Sequence, residues 1–161
     1  MSAEAPPHPP HDRRPSAPGR AFLLLAYVVL YAIACALPAL HLEGIRTTWS
    51  GVEAMVLGSL GVRLGHYSWL ANIPGLAALW CVMKGRTKAA IACSVLAVLL
   101  SLQTFWLPGT EISLGSESFN RVRVVSVGAG CYVWIAALLL PLAAALLLRR
   151  PPLRARKDFA G

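Results

Sequence analysis

The side chains that could do chemistry are few. His41 and His66 each fall near the outer end of an apolar run, where together they could ligate a metal ion or a haem. Single histidines at a membrane boundary more often serve as hydrogen-bonding residues, so neither a metal nor a cofactor is assigned. His8 and His11 lie in a proline-rich tail without geometric constraint. Cys35, Cys81, Cys93 and Cys131 are spread singly along the chain, with no C-x-x-C pair among them. They read as small apolar packing residues, and quinone-linked thiol oxidation, which needs paired cysteines, is excluded. Proton-coupled export would need a carboxylate inside the membrane. Glu53 is the nearest acid, expected at headgroup depth beside Trp49. With no catalytic cluster, the chain reads as a non-enzyme.

The stretch Trp69-Leu70-Ala71-Asn72-Ile73-Pro74-Gly75 is more informative. Proline removes a helical donor and clashes with the carbonyl four residues back, that of Leu70, which predicts a kink. An amide in hydrocarbon needs a partner, so Asn72 should face other helices and clamp them, with Trp69 and Pro74 shaping the break. Tyr27, Tyr31, Ser94, Ser101, Gln103 and Thr104 are equally suited to bonding between helices. A broken helix facing inward is also how transporters build a midplane site.

At 100° per residue, Gly51, Ala54, Gly58, Gly61 and Gly65 share one side of a helix, opposite Trp49, Val56, Leu57 and Leu60. Small residues on one face let another backbone approach closely, which is how helices associate in lipid. A short helix docking at the membrane surface is expected here; a merely flexible glycine loop is the alternative.

The elements that must position these residues follow from composition. Of 161 residues, 57% are hydrophobic and 14% charged, whereas soluble domains carry about 25% charged residues. Four runs lack Asp, Glu, Lys and Arg: residues 21–42, 64–83, 89–110 and 124–148. Each reaches or exceeds the ~20 residues needed to cross hydrocarbon. The fold class predicted is an all-α membrane protein, with four transmembrane helices in a four-helix bundle and a short periplasmic interfacial helix between the first and second. Trp49, Trp80, Trp106 and Trp134 are the predicted interface anchors. Residues 1–20, with prolines at 6, 7, 9, 10, 15 and 18, form a tail expected to be disordered, and 149–161 a basic tail. Ala34-Cys35-Ala36 would admit signal cleavage, but 20 proline-rich residues make a long leader, so the run is taken as a span.

Eleven of the fifteen Lys and Arg residues lie in the two tails and around Lys84, Arg86 and Lys88; only Arg46, Arg63, Arg121 and Arg123 lie in the other two connections. Positive segments stay cytoplasmic, so both termini are predicted inside a bacterial inner membrane. The net charge of +8 then faces anionic headgroups rather than nucleic acid.

A first run ending Ala36-Leu37-Pro38-Ala39, an outer Trp-x-Gly-x-Glu helix leading to Leu57-Gly58-Ser59-Leu60-Gly61, and Trp69-Leu70-Ala71-Asn72 with a nearby proline give the chain its pattern. That pattern resembles a group of small uncharacterised bacterial four-span inner-membrane proteins. In that group proline usually follows the asparagine at once, whereas Ile73 intervenes here. A glycine-tyrosine-tryptophan string opens the last span, matched by Gly128-Ala129-Gly130-Cys131-Tyr132-Val133-Trp134. The resemblance implies topology and location and carries no activity.

Two function classes follow. The first is an accessory, scaffold or assembly component that docks helices against a second copy or another membrane protein. The second is a small transporter or channel for an uncharged or weakly polar solute.

Overall fold

A computed structural model of the chain describes residues 16–43, 48–61, 66–113 and 121–149. The described elements run α1 (Ala17–Ala36), β1 (Pro38–Glu43), β2 (Thr48–Ser50) and α2 (Gly51–Gly61), then a 3-10 turn Ser68–Ala71 that passes directly into α3 (Asn72–Met83). They continue with α4 (Thr87–Leu102), its 3-10 extension Gln103–Trp106, β3 (Glu111–Ser113), β4 (Arg121–Val127) and α5 (Ala129–Arg149).

Among the described residues three helices are long and apolar enough to cross a membrane: Pro18–Ala36, Thr87–Trp106 and Ala129–Arg149. The expected span 64–83 is shorter, a 16-residue apolar helix over Ser68–Met83; residues 64 and 65 lie outside the described set. The expected span 21–42 ends early, at Ala36, because Leu37 precedes Pro38 and the residue before a proline disfavours the α region. At its other end α1 starts inside the segment expected to be a disordered tail. Ser16 Oγ accepts from the Gly19 N–H at 3.4 Å, and proline in the first turn loses no helical bond. Residues 1–15 of that tail, and 150–161 of the basic one, lie outside the described residues. The expected span 89–110 starts two residues earlier, at Thr87, and gives way to the 3-10 extension after Leu102.

The all-α expectation is corrected by a four-stranded antiparallel sheet of order β2-β1-β4-β3. Residues 124–127, assigned to the last span, belong to β4. In Arg121-Val122-Arg123-Val124 side chains alternate, so Val122 and Val124 are buried while Arg123 is exposed. Leu40 and Leu42 of β1 do the same against β4. The buried face joins Ala39, Leu40, Leu42, Trp49, Leu107, Val122, Val124 and Cys131 in one core, with Ala54 of α2 against it. The sheet therefore ties together two connections far apart in sequence and closes one end of the helices. At the mouth of β3, Leu107-Pro108-Gly109-Thr110 turns with Gly109 at φ 87°, and the Thr110 N–H donates to the Leu107 carbonyl at 2.9 Å.

The other end is closed by the tight turn between α3 and α4. Gly85 takes φ 75°, its N–H donates to the Val82 carbonyl at 3.0 Å, and the Arg86 N–H donates to the Cys81 carbonyl at 2.9 Å. This double bond satisfies two carbonyls that the helix end leaves without donors. Gly85→Ala should lower stability by about 1 kcal/mol, read as a fall in the melting temperature of purified protein, because an L residue pays for the left-handed geometry.

Between these ends α5 packs against α1, α3 and α4, and α3 packs against α4. Ala71, Ala97 and Leu138 form one buried cluster, and Val82, Ala90 and Ala145 another nearer the Gly85 turn. Phe22, Leu25, Val28, Leu99 and Leu147 point outward, the distribution expected where the solvent is lipid.

Candidate functional site

Three half-buried polar side chains from three helices meet where the 3-10 turn becomes α3. The Tyr31 hydroxyl of α1 donates to Asn72 Oδ1 at 2.9 Å, and Trp134 Nε1 of α5 donates to the same oxygen at 2.8 Å. Indole N–H is a donor only, so the oxygen of the amide has to be the atom facing it. Tyr31 Oη also lies 3.9 Å from Met55 Sδ of α2, and its ring stacks on Tyr27 with centroids 5.9 Å apart. One amide thus joins α1, α3 and α5, and Tyr31 extends the contact to α2.

Local sequence explains why Asn72 can reach both donors. Pro74 is the third residue of α3, in the first turn, where its missing N–H would have had no helical acceptor. The expected clash with the Leu70 carbonyl is avoided by a change of helix type: residues 68–71 wind as a 3-10 turn, and the α-helix begins after them. Trp69, on that turn, packs against α2, where a Cβ on Gly58 would stand 2.9 Å from its ring.

A Cβ on Gly51 would collide with the Ala34 carbonyl oxygen and lie 2.7 Å from Cys35 Cα, so α2 starts in backbone contact with the end of α1. Ala54 packs on the core beneath the sheet. Gly61 is the last residue of α2, and Gly65 lies outside the described residues. Ser50 and Glu53 hold the start of α2: Glu53 Oε2 accepts from the Ser50 N–H at 2.9 Å and hydroxyl at 3.1 Å, while Ser50 Oγ accepts from the Glu53 N–H at 3.3 Å. That reciprocal pair is an S-x-x-E capping box, and Ser50 with Glu53 is the sequence signal that marks the start of α2.

Of the expected interface anchors, Trp80 and Trp106 are exposed, at 62% and 78%, and Lys84 Nζ stands 4.8 Å from the Trp80 ring centroid. Trp49 and Trp134 are placed differently. Trp49 is buried beneath the sheet, because β2 pairs with β1 and turns its indole into the core; Trp134 faces inward to Asn72.

The Tyr31–Asn72–Trp134 cluster can hold helices in register or hydrogen-bond a neutral solute, and it holds no acid, base or nucleophile working near neutral pH. His41 lies on β1 opposite Ser126, and among the described residues no group of three or more His, Cys, Asp or Glu could hold a metal ion. All four cysteines are free thiols; Cys131 is buried and its Sγ lies 3.2 Å from the Ala39 carbonyl. Among the described residues four buried side-chain polar atoms have no hydrogen-bond partner: Tyr27 Oη, Trp69 Nε1, Ser94 Oγ and Thr104 Oγ1.

No protein-family model, curated protein or solved structure matches the chain.

Proposed function

We propose that the chain is a four-span protein of a bacterial inner membrane with both termini cytoplasmic, acting as a non-enzymatic accessory, scaffold or assembly component. The observation that carries this reading is the pairing of β1 with β4. It brings the connection after α1 and the connection before α5 to the same end of the helices, and the chain between them runs to the Gly85 turn and back. The returning pair is the helix Ser68–Met83 and α4, joined at Gly85. At 1.5 Å per residue in α-helix and 2.0 Å in 3-10 helix, Ser68–Met83 covers about 26 Å. Local bilayer thinning makes up the few ångströms missing from a ~30 Å core, with Trp80 and Lys84 reaching for the headgroups.

Orientation follows from charge. The turn holding Lys84, Arg86 and Lys88 and both basic tails are cytoplasmic, against anionic headgroups, and the sheet is periplasmic. A sheet core continuous with α2 gives the periplasmic end a rigid surface for another membrane protein or a second copy. The hydrogen-bonded interior, in spans that carry no carboxylate and have Lys or Arg only near their ends, supports a role in holding rather than converting. A second reading, transport of an uncharged or weakly polar solute, is favoured by the helix break at Asn72.

Reporter fusions test the topology. Cytoplasmic signals are expected from both termini and from the turn at Lys84, and a periplasmic one from residue 117; a periplasmic signal at either terminus overturns it. Crosslinking in native membranes tests the role. An accessory component should capture a stable membrane partner that also raises its melting temperature, whereas a transporter should be stabilised by its solute alone.

A further inference from the structure

We propose that Tyr27, Ser94 and the carbonyl of Ala137 form an internal water site that ties α1 to the α3, α4 and α5 layer. Tyr27 is 4% exposed and Ser94 is fully buried, and neither hydroxyl has a protein partner. Ser101, on the same buried face of α4, shows the alternative open to a serine here: its Oγ donates back to the Val98 carbonyl at 2.7 Å. Ser94 makes no such bond.

The surroundings put the Tyr27 hydroxyl at the Ala97 level of the packing, one helical turn from Ser94. Tyr27 Oη lies 3.6 Å from the point where a Cβ on Gly75 would stand, and that point is 3.9 Å from Ala97 Cβ. Ala97 follows Ser94 by one turn on the same buried face of α4. Ala97 clusters with Leu138 and Ala90 with Ala145, so along these antiparallel helices Ser94 falls at the level of Pro141. Pro141 is buried inside α5 and has no N–H, which leaves the Ala137 carbonyl without its helical donor. Two hydroxyls that both donate and accept, and one carbonyl that accepts, meet the requirement of an ordered water for two to four polar partners. Buried polar atoms are almost always bonded, to protein or to ordered water. Tyr27 is also the largest fully inward side chain of α1, whose outward face is apolar, so a water on its hydroxyl is the deepest polar tie α1 has.

This inference is independent of the choice between accessory and transporter. Radiolytic hydroxyl labelling of the full-length protein in detergent tests it, because radicals generated from a bound water modify the side chain that holds it. Tyr27 should be oxidised in the same exposures that oxidise Tyr67, which is 44% exposed. Tyr27→Phe and Ser94→Ala should each lower the melting temperature by about 3 °C, and the double variant should fall by less than the combined amount because one water serves both. The sign is decisive: removing a hydroxyl stranded in a dry core raises the melting temperature, whereas removing one that holds a water lowers it. An unlabelled Tyr27 beside a labelled Tyr67, or variants that melt at or above the parent, overturns the proposal.

Discussion

Asn72→Ala should lower the stability of the solubilised protein by about 2 kcal/mol, measured as a fall of several degrees in the melting temperature. The substitution leaves Trp134 Nε1 without an acceptor and the Tyr31 hydroxyl with only the weakly accepting Met55 sulfur, 3.9 Å away. A stranded buried donor costs about 1–3 kcal/mol in water-based measurements, and interhelical bonds in membranes average nearer 0.6 kcal/mol, so two lost together centre on this figure. Trp134→Phe removes one donor and leaves Tyr31 bonded, so its loss should be about half as large. Pro74→Ala should change little, because a first-turn N–H has no helical acceptor to gain. If Asn72 instead serves a solute, Asn72→Ala will leave the melting temperature nearly intact and abolish transport. An unchanged melting temperature therefore sinks the clamp.

Gly51→Leu should cost about 3 kcal/mol, the high end for overpacking, and should loosen the whole cap. What its Cβ would strike is backbone, the Ala34 carbonyl and Cys35 Cα, and backbone cannot rotate aside as a side chain does. The same residue also donates its N–H to the Leu37 carbonyl at 2.9 Å, so displacing α2 breaks that bond as well. Gly58→Leu meets the Trp69 ring, a side chain able to shift, and should cost about 1–2 kcal/mol. Val52→Ala, on the exposed side of α2, should stay within about 0.5 kcal/mol. Equal losses from all three would show that α2 has no packing face.

Much of the helical framework was legible because its signal is local. The absence of charge over 20 or so residues is readable from any window, and α1, α4 and α5 fall largely within charge-free runs. The same criterion overshot at Pro38–Leu42 and Val124–Val127, since an uncharged strand and an uncharged helix look alike when only charge is counted. Alternation was the discriminating signal in both places. Leu40-His41-Leu42-Glu43 and Arg121-Val122-Arg123-Val124 repeat with period two, and Ser50 with Glu53 marks a helix start.

What the sequence determined by itself is therefore what one segment imposes regardless of its neighbours: apolar lengths, the side on which cations gather, and the need of Asn72 for a partner in a medium without water. Which partners answer that need was decided by tertiary structure. Tyr31 and Trp134 lie 41 and 62 residues away, and each faces Asn72 only because α1 and α5 pack with those faces inward. The sheet has the same origin. Strands of three to seven residues are too short to stand alone, and β1 can pair with β4 only where the helices hold both connections at one end. Trp49 and Trp134 show the limit most plainly, for an indole N–H serves equally well at a headgroup or an internal acceptor, and only the packing of the chain around it selects between them.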